Sequence, residues 1–204
     1  TTKVQPLSQV EIGVRDADLW EYYTSDSNGD FAFETAYDKS SVVIKPNKND
    51  DPLNGVSTLD LIHIQRHVLG LESFDAFTEL VAADINKDDK IDVMDLLELR
   101  KLLLGIYENF PQNTSWRFLD AHKKYTLLSD LDDQMTIRTL DEEINLEGIK
   151  VGDVNQSNIL SAMQTEADSR FQSNFKLIKK QYRNNDEELL VGFFASKNFH
   201  HIFY

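Results

Sequence analysis

Two stretches of this chain, NDDPLNGVSTLDL at residues 49–61 and DINKDDKIDVMDL at residues 84–96, decide its fold. They align without a gap at an offset of 35 residues, and the register continues until Gly70 falls on Gly105. Self-similarity at a fixed spacing of this size indicates a repeated structural unit. We call residues 49–60 the first loop and residues 84–95 the second loop.

Each loop leads into a stretch with helical periodicity. Apolar residues recur near the 3.6-residue period, and a glycine follows where a left-handed residue would end the helix. The first stripe contains Leu61, Ile62, Ile64, Val68 and Leu69, and the second contains Leu96, Leu97, Leu99, Leu102, Leu103 and Leu104. The pattern predicts two amphipathic helices that pack face to face and bury these side chains.

The second loop carries oxygen-bearing residues at the spacing of a calcium loop. Calcium takes six to eight hard oxygen ligands, and a 12-residue loop supplies them from positions 1, 3, 5, 9 and 12 and from the carbonyl at position 7. The candidate ligands are Asp84, Asn86, Asp88, Lys90 through its carbonyl, Asp92 and Asp95. Asp89 stands where such loops need a left-handed residue, and Ile91 is predicted to anchor the loop in the core.

The first loop matches the same spacing less completely. Its candidate ligands are Asn49, Asp51, Gly55 through its carbonyl, Ser57 and Asp60. Leu53 occupies position 5, where its side chain cannot ligate, and two carboxylates stand against four in the second loop. We therefore predict two calcium sites, of which the second is stronger, since ligand charge tunes affinity. Helix caps rich in Asp and Asn that hold no metal are the alternative.

These residues resemble a dockerin type I repeat pair. The segments at 45–46, 54–60, 115–118 and 151–155 are also similar to the dockerin-containing parts of large bacterial secreted or cell-surface, adhesin-like proteins, over roughly residues 8 to 160. The resemblance implies a secreted, extracellular, cell-surface attached protein with calcium-dependent folding. It implies packing on neighbouring domains of the same chain, or binding of a cohesin-like protein.

In dockerins the partner contacts loop positions 10 and 11. These positions hold Thr58 and Leu59 in the first copy, and Val93 and Met94 in the second. Because the two copies differ in character, we expect packing within the chain rather than a symmetric, dual-mode cohesin contact.

The flanking sequence predicts an α+β fold, with the dockerin-like pair of calcium loop-helix units between β-rich, β-sandwich segments. We place the end of a sandwich at 1–46, which resembles the carboxypeptidase-regulatory or collagen-adhesin B type, and the calcium-binding pair at 47–110. An irregular β-containing extension at 111–165 is expected to pack on the pair through Trp116 and Phe118. Residues 166–204 read as the truncated start of a further β-sandwich domain, so we expect a piece of a longer polypeptide.

Two shorter acidic motifs complete the search for calcium loops. The segment from Asp26 to Asp30 is interpreted as a hairpin turn, because no helix or position-12 acid follows it. Asp153 and Asn155 look like the start of a calcium loop, but nothing after them in the sequence completes it.

Composition excludes several functional classes. A formal net charge of -14 repels nucleic acid, and no apolar run reaches the roughly 18 residues needed for membrane insertion. The chain has no cysteine, and His63 and His67 lack the third ligand and general base of a zinc hydrolase. We expect a non-catalytic calcium-binding module that supports adhesion or multi-domain assembly. The alternative is the dockerin of an extracellular polysaccharide-degrading enzyme that docks to a cohesin.

Overall fold

A computed structural model describes residues 6–16, 19–35, 41–137, 145–158, 173–176, 178–183 and 189–194. Within these residues the chain is a mixed α+β fold of antiparallel sheets and three helices, as the sequence predicted at this level. The strands are β1 (Glu11–Asp16), β2 (Leu19–Thr24), β3 (Glu34–Thr35), β4 (Val42–Asn47), β5 (Trp116–Asp120), β6 (Met135–Ile137), β7 (Asn145–Lys150), β8 (Ser173–Lys176), β9 (Ile178–Arg183) and β10 (Leu189–Phe194). The helices are α1 (Thr58–Val68), α2 (Phe77–Ala83) and α3 (Val93–Leu103).

The strands form three antiparallel sheets with the orders β2-β1-β4-β6, β5-β7-β8 and β3-β10-β9. Strands β8 and β10 thus pair with β7 and β3, which lie before residue 166 in the chain. The Phe31 to Phe33 segment is an irregular stretch with both rings buried.

Alternation along β5 sends its side chains into two different cores. Trp116 and Phe118 pack with Ile12, Val14 and other residues of the four-stranded sheet. Leu119, on the opposite face, joins the helical core. The expectation that Trp116 and Phe118 pack on the helical pair was therefore wrong, because successive side chains of a strand point to opposite faces.

The two repeats fold alike at both helix ends. Ser57 caps α1 and Asp92 caps α3, each accepting a hydrogen bond from a first-turn backbone N–H. Gly70 (φ +67°) and Gly105 (φ +69°) end the helices in the left-handed conformation, as predicted.

The helical core forms between α1, α2, α3 and the end of β7. Ile64 and its repeat equivalent Leu99 are each 0% exposed at its centre, and Ile149, Val151 and Val154 also contribute to it. Helix α2, which the sequence analysis did not predict, adds three consecutive buried residues, Val81, Ala82 and Ala83. Residues beyond 110 thus share one core with the helices.

The predicted stripes are only partly buried. Ile62, Leu69, Leu97 and Leu104 are all exposed, although the periodicity placed them with the packed side chains. Helices α1 and α3 have 11 residues each, and each buries a face that is narrower than its apolar stripe. Within the described residues, none of the helices has the length and apolar character needed to cross a membrane.

Leu99→Ala should lower the free energy of unfolding by about 2–5 kcal/mol, because it removes a fully buried side chain and leaves a cavity. Leu104→Ala, at the C-cap of the same helix, is the matched control, since its side chain is 68% exposed, and should change the free energy by less than about 0.5 kcal/mol. Urea unfolding followed by circular dichroism measures both. Equal losses would contradict the assignment of the buried face.

Candidate metal centre

The second loop is organised around two buried carboxylates, those of Asp84 and Asp95, each 0% exposed. Asp95 Oδ1 accepts hydrogen bonds from Ile85 N (2.8 Å) and Asn86 N (3.2 Å), and its Oδ2 accepts from Asp92 N (2.8 Å). The carboxylate at position 12 therefore holds the beginning and the end of the loop together.

The remaining predicted ligands follow the chain between these two acids. Asp84 Oδ1 accepts from Asp88 N at 3.0 Å, and Asp88 Oδ1 accepts from Lys90 N at 3.1 Å. Asn86 Nδ2 donates to Asp88 Oδ2 at 3.0 Å, while Asp92 Oδ1 caps α3. These hydrogen bonds connect Asp84, Asn86, Asp88 and the backbone N–H of Lys90, whereas Asp92 is engaged at the cap of α3.

Two backbone features support this loop conformation. Lys87 (φ +60°) and Asp89 (φ +64°) are both left-handed, and the sequence analysis predicted this for Asp89 at position 6. Ile91 packs against the helical core, again as predicted. The loop is therefore a defined structure with an apolar anchor.

Sequence reasoning missed Arg117, which lies on β5 and reaches the second loop. Its Nη1 lies 3.2 Å from Asp84 Oδ2, and both side chains are buried. Asn113 Nδ2 donates to the carbonyl of Asp84 at 3.0 Å. The alternation of β5 was a signal for Arg117, because a cation between apolar residues on a buried strand needs a buried anion.

The electrostatics of the second loop are those of anions held away from water. Burial raises the pKa of Asp95 to about 6, and the neighbouring Asp84 adds to this rise. Burial also raises the pKa of Asp84, more than Arg117 lowers it. Carboxylate and amide oxygens are donors that suit a hard cation such as calcium better than a soft metal.

The start of the first loop makes different contacts. Asn49 Oδ1 accepts from Ser115 N and Ser115 Oγ, each at 3.0 Å. The carbonyls of Asp50 and Asp51 accept from Lys150 Nζ at 3.1 and 2.6 Å. Asn49 and Asp51 thus contact the start of β5 and the end of β7, and none of the contacts that the structure gives for them is with Asp60.

Lys150 supplies the cation beside these carbonyls. It is 3% exposed, and its Nζ lies 5.1 Å from the centre of the Trp116 ring. Burial lowers its pKa to about 8, against the opposing effect of Asp50 and Asp51. Sequence reasoning did not single out Lys150.

The later half of the first loop meets a distant segment, residues 153–158, which we call the terminal turn. Asp60, 0% exposed, accepts at Oδ2 from Ser57 N and Ser57 Oγ, both at 2.9 Å. Its Oδ1 accepts from Asn155 N at 3.3 Å. The Gly55 carbonyl accepts from Ser157 Oγ at 2.9 Å. Gly55, Ser57 and Asp60 are therefore brought together with the terminal turn.

The terminal turn closes on its own buried acid. Asp153 Oδ1 accepts from Ser157 N and Oδ2 from Asn158 N, both at 2.8 Å. Burial raises the pKa of Asp153 to about 6, and repulsion from Asp60 adds to the rise. Gly55 (φ +78°) is required here, because a Cβ on it would lie 2.5 Å from Asn158 Cα.

Other candidates from the sequence are engaged elsewhere. His67 Nδ1 accepts from Phe74 N at 3.0 Å, whereas His63 Nδ1 lies 3.9 Å from Glu72. Asp26 Oδ1 accepts from Asn28 N and Asp30 N and closes the turn that contains them. In the part of the chain that the structure describes, no group of three or more histidine and acidic side chains is arranged to hold a metal ion.

Comparisons with protein-family models, with curated protein sequences and with solved structures gave no match.

The raised pKa of Asp95 predicts a pH dependence of stability in the presence of a chelator. The folded chain binds more protons than the unfolded chain between the ordinary pKa of 3.8 and about 6. The free energy of unfolding should therefore lose about 1–3 kcal/mol from this group as pH rises across that window, and no more above it. Asp95→Asn should flatten this slope in urea unfolding at pH 4 to 7. Parallel profiles for the two proteins would contradict the prediction.

Proposed function

We propose that this chain is a non-catalytic calcium-binding structural and interaction module of a secreted or cell-surface bacterial protein, of the dockerin-like kind. The observation that carries the proposal is the burial of Asp84 and Asp95 in one loop of 12 residues. Buried carboxylates are costly unless a cation or hydrogen bonds compensate them. Asp84 already has Arg117, and Asp95 has three backbone N–H donors. A calcium ion in the second loop would add positive charge beside both acids.

The contacts of Asp84 suggest what the ion would stabilise. Asp84 ends α2, and its position-12 partner Asp95 lies in the first turn of α3. Arg117 connects the same carboxylate to β5, which packs against both cores. An ion here would order the helices together with the strand that joins them to the β-rich part of the chain, which suits a joint between modules.

Extracellular export, cell-surface attachment, adhesion and multi-domain assembly are part of the same proposal. Their support is the resemblance to adhesin-like proteins.

A second candidate function is docking to a cohesin-like protein, as on an extracellular polysaccharide-degrading enzyme. The observation that favours it is the exposure of Leu59 (50%), Val93 (65%) and Met94 (49%) at the loop positions that dockerins use for their partner. These apolar side chains are available to a partner protein or to a neighbouring domain of the same chain.

Calcium should raise the melting temperature of the protein, because a ligand that binds only the folded state stabilises it by about 2.7 kcal/mol at one hundred times its dissociation constant. Magnesium at equal concentration should have a smaller effect, since it demands a tighter octahedral site. Differential scanning calorimetry with and without chelator measures both. A melting temperature that calcium does not change would contradict the proposed function.

Asp95→Asn should weaken calcium binding to the second loop at least tenfold in a calorimetric titration, because it removes a bidentate carboxylate at position 12. Asp89→Asn is the matched control: it removes an acid of the same loop that is not a predicted ligand, and Asn tolerates the left-handed conformation. The control should stay within about threefold of the parent. Equal losses would indicate a general charge effect instead of a specific site.

Docking is tested by pull-down with purified cohesins in the presence of calcium. Under the second candidate function, Leu59→Asp combined with Met94→Asp abolishes capture, because charges enter an apolar contact, while calcium binding persists. Capture that survives this double substitution would place the contact elsewhere.

A further inference from the structure

The second loop and the terminal turn share a pattern of contacts that the sequence repeat does not reveal. Asp88 N donates to Asp84 Oδ1 at 3.0 Å, and Ser157 N donates to Asp153 Oδ1 at 2.8 Å. In both segments the residue just before the donor has a positive φ: Lys87 (+60°) in the second loop and Gln156 (+56°) in the terminal turn. The first five positions of the second loop therefore have a structural counterpart at residues 153–157.

This counterpart also donates a hydrogen bond to Asp60, the acid at position 12 of the first loop. Asn86 N donates to Asp95 Oδ1 at 3.2 Å, and Asn155 N donates to Asp60 Oδ1 at 3.3 Å. Ile85 and its counterpart Val154 are both buried in the helical core. Asn155 thus takes the place relative to Asp60 that position 3 takes relative to position 12 in the second loop.

The second half of the loop is supplied by the first repeat. Ser57 N donates to Asp60 Oδ2 at 2.9 Å, as Asp92 N donates to Asp95 Oδ2 at 2.8 Å. Gly55, at position 7, contacts Ser157 at position 5 of the terminal turn through its carbonyl. The two halves are therefore contiguous in space.

We propose that the first repeat binds its calcium ion in a split loop, in which residues 153–157 supply positions 1 to 5 and residues 55–60 supply positions 7 to 12. The ligands are the oxygens of Asp153, Asn155, Ser157, Gly55, Ser57 and Asp60, and Asn158 Oδ1 is a further candidate. This inference rests on the proposed function, because it assumes that chains of this design bind calcium.

An independent observation points to a missing ligand at this place. Asn158 is 5% exposed, and among the described residues its Oδ1 has no hydrogen-bond partner. Its backbone N donates to Asp153 Oδ2 at 2.8 Å, so this buried acceptor belongs to the residue that touches the candidate ligand. A buried acceptor left without a donor is costly, and a cation satisfies it.

The departures of the first loop from the calcium pattern fall in the half that the split loop replaces. Leu53, which cannot ligate, and the uncharged Asn49 lie at positions 5 and 1. Gly55, Ser57 and Asp60 fit the pattern and lie in the half that is retained. Lys150 already holds the displaced segment through hydrogen bonds to the Asp50 and Asp51 carbonyls.

The test is a calcium titration of the whole chain by calorimetry, comparing the parent with Asp153→Asn and with the matched control Asp51→Asn. The parent should bind two ions. Asp153→Asn should weaken the first-repeat event at least tenfold and leave the event that depends on Asp95, whereas Asp51→Asn should stay within about threefold of the parent. Loss of the event in Asp51→Asn but not in Asp153→Asn would overturn the split loop in favour of the contiguous one.

Two further measurements guard against misfolding of the Asp153 variant. Asn155 and Ser157 are exposed, so Asn155→Ala combined with Ser157→Ala opens no cavity, yet should weaken the same event. Calcium should also slow hydrogen exchange at the Asn155 and Ser157 amides. A parent that binds a single ion, lost in Asp95→Asn, overturns the split loop alone. A parent that binds none overturns the proposed function as well.

Discussion

The rest of the helical region depends on one arrangement, a buried aspartate in the first turn of α1 and of α3. Asp60 and Asp95 are fully buried, and each accepts hydrogen bonds from its own helix cap and from a second segment of chain. A carboxylate removed from water needs such donors, or a cation, to offset its lost hydration. Because the donors belong both to the helix cap and to a second segment, each acid fixes the orientation of its helix relative to that segment.

The antiparallel pair β5 and β7 connects both loops to the β-rich part of the chain. Arg117 on β5 reaches Asp84 of the second loop, and Lys150 at the end of β7 reaches the carbonyls of Asp50 and Asp51. The same strands place Trp116 in one core and Leu119 in the other. Each loop is therefore joined to a strand of this pair by a buried cation, and β5 contributes side chains to both cores.

The sequence predicted the conformation of the second loop. This loop is contiguous in sequence. The place of the loop, the left-handed conformation of Asp89 and the packing of Ile91 on the core all follow from the spacing of 12 residues. Pattern alone did not reveal α2, because Phe77–Ala83 is too short to show a clear period. It also did not predict which core Trp116 packs in, or that the segment beginning at Asp153 contacts the first loop. Both depend on which distant segment of the chain lies opposite. Asn155 and Asp60 are 95 residues apart, and no local rule connects them.

That separation changes what a bound ion would accomplish. An ion in a contiguous loop closes about 12 residues of chain, whereas an ion shared by Asp60 and the terminal turn closes a loop of about 95 residues. Because closure entropy rises by about 0.6 kcal/mol with each doubling of loop length, the longer loop makes the cross-link worth about 2 kcal/mol more. The chain contains no cysteine, so no disulfide constrains its unfolded state. A calcium ion in the split loop would take that role and would tie the end of β7 to α1, so the first repeat contributes a long-range cross-link and the second repeat a local one.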